Sequence, residues 1–339
     1  MIRIGVIGCG YWGPNLIRNL YELEECRLSA VCDLKEDRLN YIKRRFNGVH
    51  TTTDYKEVLK SKEIEGVVIA TPIATHFDIT KEALLSGKDV LVEKPLSSSA
   101  DECGELIKIA KDNKRILMAG HTFIYNAAVR KLKEILDTGD IGDIYYIYSK
   151  RLNLGIIRND VNALWNFAPH DLSILLYLLE KEPVKAGAKG YSFIQKGIED
   201  VVFMTLDFPG NIGAHIHISW LDPNKTRGMT VVGSKKMVVY NDLSPDAKII
   251  IYDKGVMDGF ENFGDFQLLL RSGDIHIPKI NFKEPLKVEC SHFVECIKER
   301  KEPITNGEHG LKVVKILEAA QRSLEEGGAP QLFGNDIKM

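Results

Sequence analysis

The stretch IRIGVIGCGYWGPNL, residues 2–16, decides the fold. Its opening residues are near-continuously apolar, the pattern of a strand covered on both faces. The strand ends at Gly8-Cys9-Gly10-Tyr11-Trp12-Gly13, a GxGxxG spacing, and a helix opens at Pro14, where proline is tolerated in the first turn. Gly8 permits the tight turn, Gly10 lets a pyrophosphate approach the backbone, and Gly13 lets helix and strand pack closely. The helix N-terminus adds free N–H groups and partial positive charge, and Tyr11 and Trp12 lie within the same binding turn.

Outward from this turn, further strands are expected at 28–33, 66–71, 89–93 and 116–120. Helices are expected at 14–23, 36–46, 55–61, 76–86 and 100–114; Leu39, Ile42 and Phe46 form one buried helical stripe. Such alternation predicts βαβ units and a doubly wound parallel sheet, an α/β fold. After Gly120 the pattern changes. Helices are expected at 126–137 and 169–180, with strands at 144–151, 186–193, 201–208, 212–220, 229–232, 237–240 and 249–252. Alternating segments such as Ile212 to Trp220 predict an antiparallel or mixed sheet with one face packed. Residues 258–284 read as a long loop or extended arm, and two helices, 287–300 and 308–326, close the chain. The domain division is placed at 1–122 and 123–339.

Composition narrows the function classes. The 339 residues are 44% hydrophobic and 27% charged, enough for two cored domains. A formal net charge of −2 gives no electrostatic reason to expect nucleic acid or an anionic membrane as partner. No apolar run approaches a membrane span, and Met1 leads directly into a strand without the regions of a signal peptide. The six cysteines are scattered without a CxxC pair, as in reduced thiols of a cytoplasmic protein.

Asp33, twenty residues beyond Gly13 and at the end of the second strand, completes the dinucleotide fingerprint. A carboxylate there accepts from both ribose hydroxyls and repels a 2′-phosphate, so NAD is expected in preference to NADP. Lys35 and Arg38 are close enough to weigh on that preference. Two more stretches follow parallel strands, Thr71-Pro72-Ile73-Ala74-Thr75-His76 and Glu93-Lys94-Pro95. A third, Asn166-Phe167-Ala168-Pro169-His170-Asp171, is expected just before a helix of the second domain.

At GCGYWGPNL, CDLKEDR, ATPIATH, VLVEKPL, APHDL and the closing HFVECIKERKEPITNGEHGLKVVKILEAAQRSL, the sequence resembles the glucose–fructose oxidoreductase / inositol dehydrogenase / MocA family. The resemblance implies a Rossmann domain followed by an α+β domain on a large open mixed sheet that forms subunit contacts, as a homodimer or homotetramer. It implies reversible oxidation of a sugar or cyclitol hydroxyl by a nicotinamide cofactor. By that likeness Lys94 hydrogen-bonds the reacting hydroxyl and His170 matches the acid/base histidine. The chemistry is consistent: hydride leaves a carbinol carbon while a base takes the hydroxyl proton and a cation steadies the developing alkoxide. The bland alternative for His170 is a helix-start residue satisfied by the backbone. Inositol-dehydrogenase-like members carry an aspartate where this chain has Asn166, which binds a hydroxyl but cannot accept a proton at neutral pH. Asp171 either orients His170 or caps the helix.

His76 is placed at the border of the nicotinamide or simply at the start of its helix, and His121 at the domain junction, facing substrate. Lys150 and Arg151 are candidate partners for a carboxylate or phosphate, with Arg158 ranked lower. His215 and His217 share a strand face, but no third ligand is in sight and no metal site is expected. GYWGPN, residues 151–155 and WNFAPHD look most like members acting on nucleotide-linked sugars, among them UDP-N-acetylglucosaminuronic acid 3-dehydrogenases. The alternatives are a dehydrogenase of a free sugar, inositol or sugar acid, and, in another class, an NAD-binding, ligand-responsive regulator.

Overall fold

The computed structural model describes residues 1–256 and 270–333. The first elements are β1 (Ile2–Ile7), α1 (Gly13–Tyr21), β2 (Cys26–Cys32), α2 (Glu36–Arg45), β3 (His50–Thr52), α3 (Tyr55–Lys60), β4 (Gly66–Ile69), α4 (His76–Leu85), β5 (Asp89–Glu93), α5 (Ala100–Asp112) and β6 (Leu117–Gly120). The six strands are all parallel, in the order β3-β2-β1-β4-β5-β6. Strand order reverses between β1 and β4, the place where doubly wound sheets bind ligands. β1, β4 and β5 are buried along most of their length, as strands with helices on both faces are. The Leu39, Ile42 and Phe46 stripe is buried. β3 escapes the sequence pattern because it is three residues long and polar; it pairs with Ala30–Cys32 at the sheet edge.

Next come α6 (Ala127–Asp137), β7 (Ile144–Leu152), α7 (Ala163–Leu179), β8 (Lys185–Tyr191), β9 (Val201–Phe208), β10 (Ile212–Ser219), β11 (Thr226–Gly233), β12 (Met237–Asn241), β13 (Ile249–Val256) and β14 (Leu270–His276). The chain closes with α8 (Pro285–Glu299), α9 (Gly307–Glu325) and β15 (Gln331–Leu332). Of the loop or arm expected over 258–284, residues 258–269 lie outside the described residues; the remainder holds β14.

The described residues form two compact units, one from Met1–Tyr125 and Lys283–Lys315, the other from the described parts of Asn126–Phe282 and Ile316–Met339. A single cut at 122/123 therefore does not describe the chain. The reason is burial: Leu286, Cys290, Phe293 and Ile297 of α8 join the cluster built by Ile4, Leu16 and Leu20 of the first unit. Arg18 donates to Glu284 at 2.5 and 3.2 Å, and Arg300 to Asp89 at 2.6 and 3.1 Å, pinning both ends of α8.

The second unit is a nine-stranded sheet, β14-β13-β12-β11-β7-β10-β9-β8-β15, with β7 and β10 parallel and the other pairs antiparallel. Helices α6 and α7 pack against it. Alternate residues divide the faces: Val202, Met204, Ala214 and Ile216 are buried, while Phe203 and His215 are exposed. No described helix is long and apolar enough to cross a membrane.

α7 begins six residues before the expected position. Asn162 caps it, its side chain accepting from the Trp165 amide at 3.1 Å, and Pro169 lies inside the helix. Asn166, His170 and Asp171 are therefore helical residues rather than a loop before a helix.

Candidate active site

In a parallel sheet every strand-to-helix loop opens on one edge, and the polar residues singled out by sequence in the first unit gather there. Gly8, Asp33, Thr71, Glu93 and His121 end or closely follow β1, β2, β4, β5 and β6. Gly8 has φ +104°, and a Cβ on it would stand 2.5 Å from the Ala70 carbonyl oxygen. A Cβ on Gly13 would stand 2.1 Å from the Gly8 oxygen, so α1 can approach β1 only with glycine there. A Cβ on Gly10 would meet nothing nearer than Arg38 at 3.8 Å, leaving its backbone open. Tyr11 and Trp12 are exposed. This cradle and the N-terminus of α1 fit a dinucleotide pyrophosphate.

Asp33 is nearly buried and organises the turn. Its Oδ2 accepts from the Cys9 amide at 2.6 Å, its Oδ1 from the Lys35 amide at 2.9 Å, and Arg38 donates to both oxygens at 3.2 and 3.4 Å. The carboxylate thus fixes the Gly-rich turn.

The second and third loops are tied by His76. This buried ring, first in α4, sits between two carbonyl oxygens, that of Pro95 2.9 Å from Nδ1 and that of Thr71 2.9 Å from Nε2, and in its neutral form donates to one of them at a time. Burial pushes its pKa down, the two carbonyls pull it up, and the Lys94 charge lowers it again. His76 holds the TPIATH loop to the EKP loop. Thr75 reinforces this, its hydroxyl donating to the Pro72 carbonyl and sharing a second bond with the Thr71 hydroxyl, each at 2.8 Å.

Lys94 is partly buried, and its peptide bond to Pro95 is cis. The Lys94 amide donates to Glu93 Oε2 at 3.2 Å, and the Trp12 indole donates to the same carboxyl. Burial raises the Glu93 pKa to about 7 against the pull of Lys94. His121 is buried with neither ring nitrogen hydrogen-bonded among the described residues, edge-to-face with His309 at 5.2 Å. Burial first, then His309 and Lys94, hold its pKa well below the ordinary value.

In the second unit Asn166 and His170, both partly buried, are four residues apart and share a face of α7. Arg151 and Asp171 are not laid out as expected. Arg151 Nε donates to Asp171 Oδ2 at 2.7 Å and its second donor to Oδ1 at 3.2 Å, with Ser149 donating to Oδ1 at 2.7 Å. Both residues are buried, so this pair fastens α7 to β7 instead of offering a free guanidinium to an anion. The helix cap is Asn162, not Asp171. Arg158 is paired with Asp160 at 2.5 and 2.8 Å. His217 stacks on Phe203 at 4.4 Å on the exposed sheet face.

A cavity of about 620 Å³ opens at the opposite edge of the parallel sheet, near Lys60, Lys88 and Asp89. Its inner cations are occupied: Lys88 donates to the Ser61 and Ile64 carbonyls at 2.6 and 2.7 Å, and Arg300 is paired with Asp89. Sequence reading missed Glu289, His309 and the bridging work of His76.

Comparison with known proteins accords with this layout. Residues 2–121 match the description "Oxidoreductase family, NAD-binding Rossmann fold", and residues 129–239 the "GFO/IDH/MocA C-terminal domain". The chain belongs to the Gfo/Idh/MocA oxidoreductase family. It is an NAD(P)-dependent dehydrogenase acting on CH–OH groups. It is 25% identical to scyllo-inositol 2-dehydrogenase (NAD(+)) of Bacillus subtilis, over 99% of this chain and 97% of that one. An oxidoreductase structure from Magnetospirillum magnetotacticum is 30% identical with TM-score 0.80, covering 94% of this chain and 99% of the other. The UDP-N-acetylglucosamine 3-dehydrogenase of Acidithiobacillus ferrooxidans shares the fold, with TM-score 0.82 at 21% identity over 96% and 98% of the two chains.

The Arg151–Asp171 pair yields a stability prediction. Asp171→Ala takes the two-point carboxylate partner from a buried guanidinium and costs roughly 3–5 kcal/mol in denaturant unfolding. Replacing both residues with apolar ones of similar size recovers most of that loss. A double variant as unstable as the single one contradicts the assignment.

Proposed function

We propose that the chain oxidises a secondary hydroxyl of a sugar with NAD, at C3 of a nucleotide-linked sugar such as UDP-N-acetylglucosaminuronic acid. The observation that carries the reading is Lys94, held at the carboxyl edge that also presents the GxGxxG cradle, its loop braced by His76. When bound, the nicotinamide accepts the hydride. Lys94 donates a hydrogen bond to the reacting hydroxyl oxygen and steadies it as charge develops. His170 takes the hydroxyl proton, and Asn166, one turn earlier, binds a neighbouring hydroxyl without entering the proton path. Thr71, Pro72 and Glu93 complete the cofactor side, and His121 the substrate side. Asp33 favours NAD by repelling a 2′-phosphate, although Arg38 softens that repulsion.

The nucleotide-sugar assignment draws support from the likeness of GYWGPN and WNFAPHD to such members, and from Asn166 where inositol oxidisers carry an acid. The full-length likeness to an inositol dehydrogenase favours a free cyclitol or sugar as the second reading. A panel of UDP-sugars and free polyols, each with NAD and NADP and followed through NADH absorbance, separates them. Turnover of a polyol alone overturns the nucleotide-sugar reading. Lys94→Met is expected to lower kcat by about 10²–10⁴-fold while NADH affinity persists. Retained turnover removes Lys94 from the reaction and favours a regulator.

The exposed face of the nine-stranded sheet, with Tyr146, Tyr148, Phe203 and His215, is proposed as the contact with a second copy of the chain. Phe203→Asp is expected to shift a dimer or tetramer towards monomer in light scattering. An unchanged mass contradicts that contact.

A further inference from the structure

Glu289 is a buried acid that the proposed chemistry leaves unused. It occupies the apolar stripe of α8 and is wholly buried. The Thr122 hydroxyl donates to Oε2 at 2.7 Å, and Oε1 has no hydrogen-bond partner among the described residues. The influences upon it are burial, the neighbouring Glu93 charge and the Thr122 bond; no cation is among them. A buried carboxylate so placed is costly in its charged form and takes up a proton.

Glu93 differs in its surroundings. It lies against Gly120, where a Cβ would come within 3.2 Å of its carboxyl. It accepts from the Lys94 amide and the Trp12 indole and feels the Lys94 charge, so it is the member of the pair equipped to ionise. The other groups facing this cluster are His76 from α4, His121 after β6 and Cys290 from α8. Burial holds both imidazoles towards neutrality and pushes the Cys290 thiol up, so none adds charge near neutral pH.

We propose that Glu289 is a positioning residue for Lys94: it stands beside Glu93 as an un-ionised acid and keeps the pair's single negative charge on Glu93, against the lysine. The inference rests on the reading of Lys94 given above. Were both acids ionised, two negative charges would hold Lys94 as a fixed ammonium; with one, the lysine is held in place and can still exchange its proton.

Infrared titration of the full-length protein in heavy water tests this directly. Two neutral carboxylic-acid bands are expected near pH 5.5 and one near pH 8, since Glu93 ionises at about pH 7. Glu289→Gln should remove the band that persists at pH 8, and Thr122→Val should shift it in frequency. The acidic limb of the kcat/KM profile should stay in place in Glu289→Gln and move to lower pH in Glu93→Gln. Absence of the persistent band, its survival in Glu289→Gln, or an equal limb shift in both glutamine variants overturns the proposal. If no substrate turns over, the dehydrogenase reading fails alone, and the infrared bands still decide the charge of Glu289.

Discussion

The site in the first unit depends on one topological constraint: six parallel strands whose order reverses between β1 and β4. Parallel neighbours are joined by crossovers over the sheet faces, so all strand-to-helix loops open on a single edge. Residues far apart in sequence, Gly8, Asp33, Thr71, Glu93 and His121, are delivered to that edge without long-range design. Local packing then sets the spacing. Gly13 admits the Gly8 carbonyl, Asp33 fastens the turn to β2, and His76 spans two loops.

Four buried acids show how differently this chain treats charge inside its units. Asp171 and Asp89 each face a guanidinium with two bonds, geometry in which mutual attraction offsets desolvation. Asp33 is held by two backbone amides as well as Arg38. Glu289 has a single hydroxyl donor and no cation acting upon it, so burial drives it neutral. The contrast lies in the donors around each group, not in depth alone.

Much of the first unit was legible because its signals are local. Apolar runs mark the buried strands, and the GxGxxG turn with Asp33 carries its own spacing. What failed depended on contacts distant in sequence. Pro169 reads as a first-turn proline, but Asn162 caps α7 earlier and the helix tolerates the ring within it. Arg151 and Asp171 each look like site residues until β7 and α7 are brought together. Residues 283–315 read as part of the second domain, although α8 buries its stripe in the first unit. Glu289 did leave a trace: an acid at a position spaced with Leu286, Cys290 and Phe293 breaks an otherwise apolar helical face.

The account stands or falls on the Gly-rich cradle holding a nicotinamide dinucleotide on the edge that presents Lys94. Fluorescence titration of NADH into the wild-type chain and into Gly13→Val, with circular dichroism to verify that both are folded, tests this most directly. Saturable binding by the wild type and its loss in the folded variant is the predicted result. Absence of binding by the wild type, or undiminished binding by Gly13→Val, would contradict it.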